Sequence, residues 1–538
     1  MLINNLKFSF NGNDVLKNVT FSLNNNDKAG LVGVNGSGKS TLLKVLAGEL
    51  EKNAGNIKIN DQTIGYLKQE IMHNFDDYTI IEYIKHETEF DKLESRLQML
   101  ESNLTEENMD EYSEILNKFL AIDGYNFADN LKVVLNGLKF KGDYSSKIKT
   151  LSGGEKIKVL LAALLLKNCD VLLLDEPTNN LDFEAIMWLE KNLKNSNKKM
   201  LIVSHDEEFL NNITNKIFEL DNGEITEYNL KYNDYLKEKA NEYARKLEKY
   251  TKAKEEIEKL KGQVNKAKEW ANKGTSKKAH NDNDKIANNF AKERTNSSNV
   301  SKLTRMLEKV EVPDFEAKKD INFFFEVDQS KGKKDILLND LICGYESFSV
   351  PQINLSIPFG TRLQISGGNG SGKTTLIKTI LGQIEPLAGE LILGSDVKIG
   401  YISQDTLNAK NDESIIQYLT KNINSEEASL VFTLLDKMSM KYEDKDRLYK
   451  TLSPGERTRV NLIKIALEKI NVLILDEVTN HLDKEALDLI YELVSNYTGT
   501  IISISHNRKY NELLEADIIV NVETGIVDYR TLPTRKRT

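Results

Sequence analysis

The chain has 538 residues, with 73 Lys plus Arg against 82 Asp plus Glu, 30 Gly, 7 Pro and 2 Cys. At roughly 100–200 residues per domain this length suits about three to five units, each able to bury a core. Two cysteines exclude a disulfide scaffold and an all-cysteine zinc site, and a net charge of −9 argues, as an average, against a nucleic-acid partner.

Met1–Leu6 lacks the basic n-region and small-residue cleavage site of a secretory signal. The longest apolar run, Val159–Leu166, is far short of the roughly 20 residues that cross a bilayer. The expectation is a cytoplasmic protein with no membrane segment.

In chain order, an apolar stretch at Ala29–Val32 leads into Gly33-Val-Asn35-Gly36-Ser37-Gly38-Lys39-Ser40-Thr41, followed by a helix-like run at Leu42–Ala47. That strand–loop–helix context is what a phosphate-binding loop requires. Gln69 follows, then a stretch near Glu82–Leu120 with 4 basic and 11 acidic residues. Its Leu93, Leu97 and Leu100, then Ile115, Leu116 and Phe119, fall at helical spacing. Leu151-Ser152-Gly153-Gly154-Glu155 comes next, then the apolar strand Val171–Leu174 ending in Asp175-Glu176, the turn Asn179-Asn180-Leu181-Asp182, and His205. A Lys/Glu-rich segment without proline, about 231–310, follows.

The pattern then starts again. Arg362–Ser366 precedes Gly367-Gly-Asn369-Gly370-Ser371-Gly372-Lys373-Thr374-Thr375, with a helix-like run at Leu376–Leu381. Gln404, Leu452-Ser453-Pro454-Gly455-Glu456, Val472–Asp476 with Glu477, Asn480-His481-Leu482-Asp483 and His506 keep step. Serine to aspartate is 23 residues in both halves, and aspartate to histidine is 30. The copies differ between Gln69 and Ser152, where the first half carries about 34 more residues than Gln404–Ser453 does. Two unrelated glycine turns would not carry five collinear landmarks.

The repeated residues suit nucleotide chemistry. Backbone N–H groups of Gly33–Lys39 and Gly367–Lys373 can wrap a β-phosphate, because glycine permits close approach. Lys39 and Lys373 would pair with β/γ-phosphate oxygens, and Ser40 and Thr374 would ligate Mg²⁺. Of the paired acids ending each strand, Asp175 and Asp476 can reach the metal; Glu176 and Glu477 can orient or deprotonate the attacking water.

Those motifs resemble the ATP-binding-cassette ATPases. Leu151–Glu155 and Leu452–Glu456 look like that family's signature, Gln69 and Gln404 like its metal-reaching Q-loops, and His205 and His506 like its switch histidines. Asp182 and Asp483 close turns similar to its D-loops. Phe10 and Tyr345 stand where the family stacks an aromatic ring on adenine. The resemblance implies an α/β fold of two tandem cassettes that close head to tail within a monomer. ATP would be held by Lys39 facing Ser453, and by Lys373 facing Ser152, Gly153 and Gly154. Pro454, Val478 after Glu477, Asn179-Asn180 in the first D-loop, and Asn507 after His506 depart from the pattern and put equal turnover at the two sites in doubt.

The segment between the copies narrows the function. Tyr243, Leu247, Tyr250, Ile257, Leu260, Val264 and Ala267 form a narrow a/d seam, and Val300, Leu303, Leu307 and Val310 form a second. The spacing predicts an antiparallel helical hairpin with a tip near 271–285 and a first helix of about 40 residues, roughly 60 Å long. Residues 231–310 hold 21 Lys plus Arg against 12 Asp plus Glu, a net of +9 that leaves −18 on the rest. A positive rod on an acidic body fits a probe for a polyanion, with Lys266, Lys268, Trp270, Lys273, Lys277, Lys278 and His280 as candidate RNA contacts.

This arrangement is similar to the ABC-F proteins. The likeness implies cassette 1 over 1–230 with an acidic arm at about 82–122, a linker over 231–312 and cassette 2 over 313–538. It further implies binding at the tRNA exit site of the 70S ribosome, next to large-subunit rRNA and P-site tRNA, with the arm meeting a basic ribosomal protein. The polar tip and Leu-Ser-Pro-Gly-Glu look like the branch that protects ribosomes from pleuromutilins, lincosamides and streptogramin A. A housekeeping translation factor and a transporter motor stand as alternatives.

Overall fold

The computed structural model describes residues 1–10, 12–34, 36–59, 62–68, 75–275, 301–307, 310, 333–345, 348–403, 412–421, 428–438, 440, 442–479, 482 and 484–530. The chain divides into two compact units, Met1–Tyr232 with Ile321–Thr538, and Asn233–Asp320.

Both cassettes belong to the first unit and repeat one plan. In cassette 1 the strands are β1 (Leu2–Phe10), β2 (Asn13–Ser22), β3 (Lys28–Val32), β4 (Ala54–Lys58), β5 (Ile64–Tyr66), β6 (Val171–Asp175), β7 (Lys199–Val203), β8 (Lys216–Asp221) and β9 (Glu224–Tyr228). Their order is β4-β1-β2-β9-β8-β3-β7-β6-β5. In cassette 2 they are β10 (Ile336–Ile342), β11 (Gly344–Tyr345), β12 (Phe348–Ser349), β13 (Ile353–Ile357), β14 (Arg362–Ser366), β15 (Ala388–Leu393), β16 (Ile399–Ser403), β17 (Val472–Asp476), β18 (Thr500–Ile504), β19 (Ile518–Asn521) and β20 (Ile526–Tyr529). The sheet β16-β17-β18-β14-β19-β20 matches β5-β6-β7-β3-β8-β9 strand for strand.

The central strands are apolar without alternation because both faces are covered. Every residue of β6, β7, β17 and β18 is buried. Parallel pairing of β6 with β7 sets Asp175 beside Val203, and β17 with β18 sets Asp476 beside Ile504. The strand-end acids therefore emerge at the carboxyl edge of the sheet, where open α/β folds bind ligands.

The extra residues of cassette 1 form helices. Phe90–Ser102 and Met109–Ala121 pair antiparallel, with Phe90, Leu97, Leu100 and Phe119 buried between or beneath them. Phe90 stacks on Phe127 of the helix Phe127–Gly137 at 4.2 Å between ring centroids. Acidic residues remain on the outside, as the alternation of apolar and charged positions requires.

A helix of 44 residues runs unbroken from Tyr232 to Thr275, all but its first residue in the second unit, and is about 66 Å long at 1.5 Å per residue. It carries no proline, so nothing in it removes a backbone donor. It includes the first residues of the stretch read as the tip; residues 276–300, with Lys277, Lys278 and His280, lie outside the described residues. Residues 301–307 of the return seam are helical.

Candidate active site

Each phosphate loop gains its shape from glycines that must adopt a left-handed backbone. Gly38 has φ 100° and Gly372 φ 98°. A Cβ on Gly38 would also lie 2.6 Å from Val15, and one on Gly372 2.5 Å from Val350, so no side chain fits either position. Both glycines cap the helices Lys39–Leu46 and Lys373–Ile380, whose first-turn amides face the loop. Lys39 Nζ donates to the carbonyls of Gly33 and Val34 at 2.8 and 3.1 Å. Lys373 Nζ repeats the arrangement with Gly367 and Gly368, both at 3.0 Å. Burial pulls the Lys373 ammonium below its usual pKa, against the carboxylates of Glu477 and Asp476.

The hydroxyl and carboxylate expected to share a metal are together in both halves. Ser40 is hydrogen-bonded to Asp175, and Thr374 to Asp476. Tyr401 also donates to Asp476, at 3.4 Å. Burial raises both aspartates, Asp476 to about 6 with help from the adjacent Glu477. Asp175 Oδ2 is buried without a hydrogen-bond partner. A buried, orphaned carboxylate oxygen beside a hydroxyl is a donor set that fits a hard divalent cation completed by phosphate oxygens and water.

Glu176 and Glu477 share an unusual backbone, with φ of 50° and 51°. A non-glycine residue in that region costs about 1–3 kcal/mol and persists only where its surroundings enforce it. Here the enforcement is the same twice: the glutamate N–H donates to Val203 or Ile504 at 2.9 Å. Hydroxyl pairs Thr178–Ser204 and Thr479–Ser505, at 3.3 and 3.2 Å, then tie the following turn to the neighbouring strand. Val478 replaces proline after Glu477 without changing this geometry, so that departure from the family pattern leaves the site intact.

Around the two glutamates the environments diverge. Glu176 accepts from the His205 backbone N–H at 3.2 Å, and His205 Nε2 lies 3.5 Å from its other oxygen. Burial, with Asp175 adjacent, pushes its pKa up to about 8. His506 Nε2 is 4.0 Å from Glu477. Burial and then Lys373 pull the imidazole down to about 4, so it is neutral at pH 7.

The two signature serines cap helices. Ser152 begins Gly153–Leu166 and Ser453 begins Pro454–Glu468, each in a reciprocal capping box with Glu155 or Glu456. Pro454 takes the first helical turn, where proline's fixed φ is favourable. The second signature thus presents one backbone amide fewer than the first.

A cavity of about 450 Å³ brings these parts together across the cassettes. It is lined by Ser152 and Gly154 of the first signature, by Gly370–Thr375 of the second loop, and by Glu477 and His506. Glu176 and His205 also border it. Asn369 Nδ2 donates to the Asn180 carbonyl at 2.9 Å, joining the second phosphate loop to the first D-loop. Asp182 caps the helix Phe183–Asn195 and lies 3.7 Å from Lys158. The volume falls in the range that encloses a small ligand.

Phe10 and Tyr345 end β1 and β11 and are 49% and 51% exposed, free enough to stack on a flat ring. Gly33, Gly36, Ser37 and Thr41 lie in and after the first loop, and Gly455 in the first turn of the second signature helix. Asn35, Gln69, Gln404 and Asp483 lie outside the described residues. Lys266 and Lys268 are exposed on the long helix, which also holds Trp270 and Lys273. Sequence reading missed the contacts that follow each switch histidine. Arg508 reaches Glu190 and Glu208, and Lys509 and Lys484 both reach Glu207. The reversal of charge after His506 was the available signal.

The chain is similar to known proteins along most of its length. A family model described as ABC transporter matches residues 16–179 and 350–480, and a second with the same description matches 218–323. Among the described residues no helix is long and apolar enough to cross a membrane. The ATP-binding protein Uup of Buchnera aphidicola subsp. Schizaphis graminum is 32% identical over 521 residues, covering 95% of this chain and 78% of that one. ABC transporter F family member 2 of Arabidopsis thaliana is 29% identical over 547 residues, covering 98% and 77%. A solved archaeal ribosome recycling factor, aABCE1, crystallised with the ribosomal stalk protein aP1, shares the fold at a TM-score of 0.59. Its identity is 19%, and 97% of this chain and 87% of that one are covered.

Proposed function

Because this chain belongs to the ATP-binding-cassette family, in its F-type branch, and carries two ATPase cassettes, we propose that its ATP cycle works on the 70S ribosome. The observation that carries the reading is the 44-residue helix placed between two complete nucleotide-binding cassettes, in a segment of net charge +9. A rod of that length and sign is suited to reaching into structured RNA, and an ATPase on either side of it can drive insertion and release. A solved neighbour that shares the fold is described as a ribosome recycling factor, which is in keeping with that partner.

In this reading the amides of Gly33–Lys39 and Gly367–Lys373 cradle the phosphates, while Lys39 and Lys373 leave their loop carbonyls for β/γ-oxygens. Ser40 with Asp175, and Thr374 with Asp476, would hold Mg²⁺, which when bound would supply positive charge against the phosphates. Glu176 and Glu477 orient the water and take its proton, and His205 and His506 hold the leaving phosphate side in register. Closure presents Ser152 to the nucleotide on Lys373 and Ser453 to the nucleotide on Lys39. The closed chain sits at the tRNA exit site and directs the linker toward the peptidyl-transferase centre beside P-site tRNA. Drugs of the pleuromutilin, lincosamide and streptogramin A classes are then displaced, and hydrolysis releases the protein.

The test is co-sedimentation. An E176Q/E477Q chain pellets with 70S particles when ATP is present and stays in the supernatant without it. Remaining in the supernatant in both cases refutes the ribosome reading. Inhibitory concentrations of the three drug classes, with and without the gene, separate resistance from a housekeeping role.

A further inference from the structure

The switch histidines are followed by opposite charges. Two and three residues after His205 stand Glu207 and Glu208; at the same positions after His506 stand Arg508 and Lys509. The fold sets these positions against one another. Lys509 Nζ is 2.9 Å from Glu207 Oε2, and Arg508 Nη1 is 3.3 Å from Glu208 Oε1. Lys484 closes on the remaining Glu207 oxygen at 2.8 Å.

Arg508 goes deepest. Its Nη2 lies 2.8 Å from Glu190 Oε1, the two side chains 11% and 9% exposed. The guanidinium sits 5.2 Å from the centroid of Phe183, and Nη2 is 3.1 Å from Met187 Sδ. Phe183, Met187 and Glu190 fall at i, i+4 and i+7, one face of the helix that Asp182 caps. Asn212 donates to the second Glu190 oxygen at 3.2 Å, which leaves Oε1 to face Arg508 Nη2. In cassette 2 the position matching Glu190 is Tyr491, whose ring centroid lies 5.0 Å from Lys509 Nζ.

Cassettes that pair about a twofold axis present the same positions to each other. Two first cassettes would therefore press glutamates on glutamates, and two second cassettes would press Arg508 and Lys509 on their own copies. Only the mixed pair is attractive. A chain with two near-equivalent cassettes needs that distinction, because cassettes of neighbouring chains compete for the same surfaces. We propose that Glu190, Glu207 and Glu208 against Lys484, Arg508 and Lys509 form a charge clasp that admits only first-against-second pairing, and that Arg508 is a positioning residue for the second ATP site. The route is short: Arg508 grips the helix Phe183–Asn195, which follows Asn180, whose carbonyl holds Asn369 of the second phosphate loop.

The test uses the full chain and three readouts: kcat for ATP, affinity for a fluorescent ATP analogue, and melting temperature. R508E brings carboxylates together, and kcat is expected to fall at least about tenfold, the scale of a buried charge partner lost. Analogue affinity should stay within about threefold, because neither phosphate loop is altered. E190K/E208K should lose turnover to a similar degree, and R508E/E190K/E208K should recover most of it, a rescue that a merely structural arginine would not give. R508K, which keeps the charge, should outperform the near-isosteric R508M. Wild-type turnover in R508E and R508M, a combined variant as slow as its parents, or equal loss in R508K and R508M would each overturn the clasp. None of these outcomes bears on the ribosome, so the two readings fail separately.

Discussion

The two cassettes hold their glutamates in the same left-handed backbone, at 50° and 51°, yet surround them differently. Glu176 has a close histidine, a neighbouring aspartate and a pKa pushed to about 8 by burial. Glu477 has a more distant histidine kept neutral by burial and Lys373. The first signature starts its helix with glycine and the second with proline. The constraint shared by both halves is therefore the backbone that directs the carboxylate, while the distance to the histidine and the number of amides at the start of the signature helix differ.

That comparison breaks most directly at the glutamates themselves. Replacing both by glutamine should cut steady-state phosphate release by about 10²–10⁴-fold, the range for loss of a general base. The single variants E176Q and E477Q should leave unequal residual rates; equal rates would show that the environments do not matter.

The raised pKa of Glu176 gives the next effect. The base form appears as pH rises toward 8, so single-turnover hydrolysis in an E477Q background should climb between pH 6.5 and 8.5. A flat profile would remove the role assigned to burial. Stability carries the opposite sign. The native state holds the Glu176 proton more tightly than the unfolded chain does, so its contribution declines from about pH 4.5 upward and is fully lost by about pH 8. E176Q should then melt about 2–4 °C above the parent at pH 8 and gain little at pH 5.

Pro454 sets a smaller difference. P454G restores one amide to the second signature, and turnover at the site built on Lys39 should change by about two- to fivefold, the worth of one hydrogen bond. Smallest are the caps. S152A and S453A each remove one capping box and should cost about 1 kcal/mol of stability, seen as a drop in melting temperature.

Much of this was legible in the residues, for physical reasons. Glycine-rich loops and strand-end acids act through local geometry and stood out by motif and spacing, the signature serines stood out by their resemblance to the cassette family, and the apolar central strands announced burial on both faces. The helical excess in cassette 1 and the long helix from Tyr232 followed from periodicity and from the lack of proline. What spacing could not carry was contact across the pair. Arg508 and Glu190 are more than 300 positions apart, and nothing local to either names the other. Pro454 and Val478 read as departures, yet the fold tolerates both, one because the first helical turn suits proline and the other because Val203 and Ile504 do the same work in each half.

Tyr232, the first residue of the long helix, is buried and hydrogen-bonded to Glu207, the carboxylate that also receives Lys484 and Lys509. Glu207 is thus a single point of failure: one carboxylate collects two ammonium groups and a phenol drawn from three separate stretches of the chain, and its loss would release all three at once.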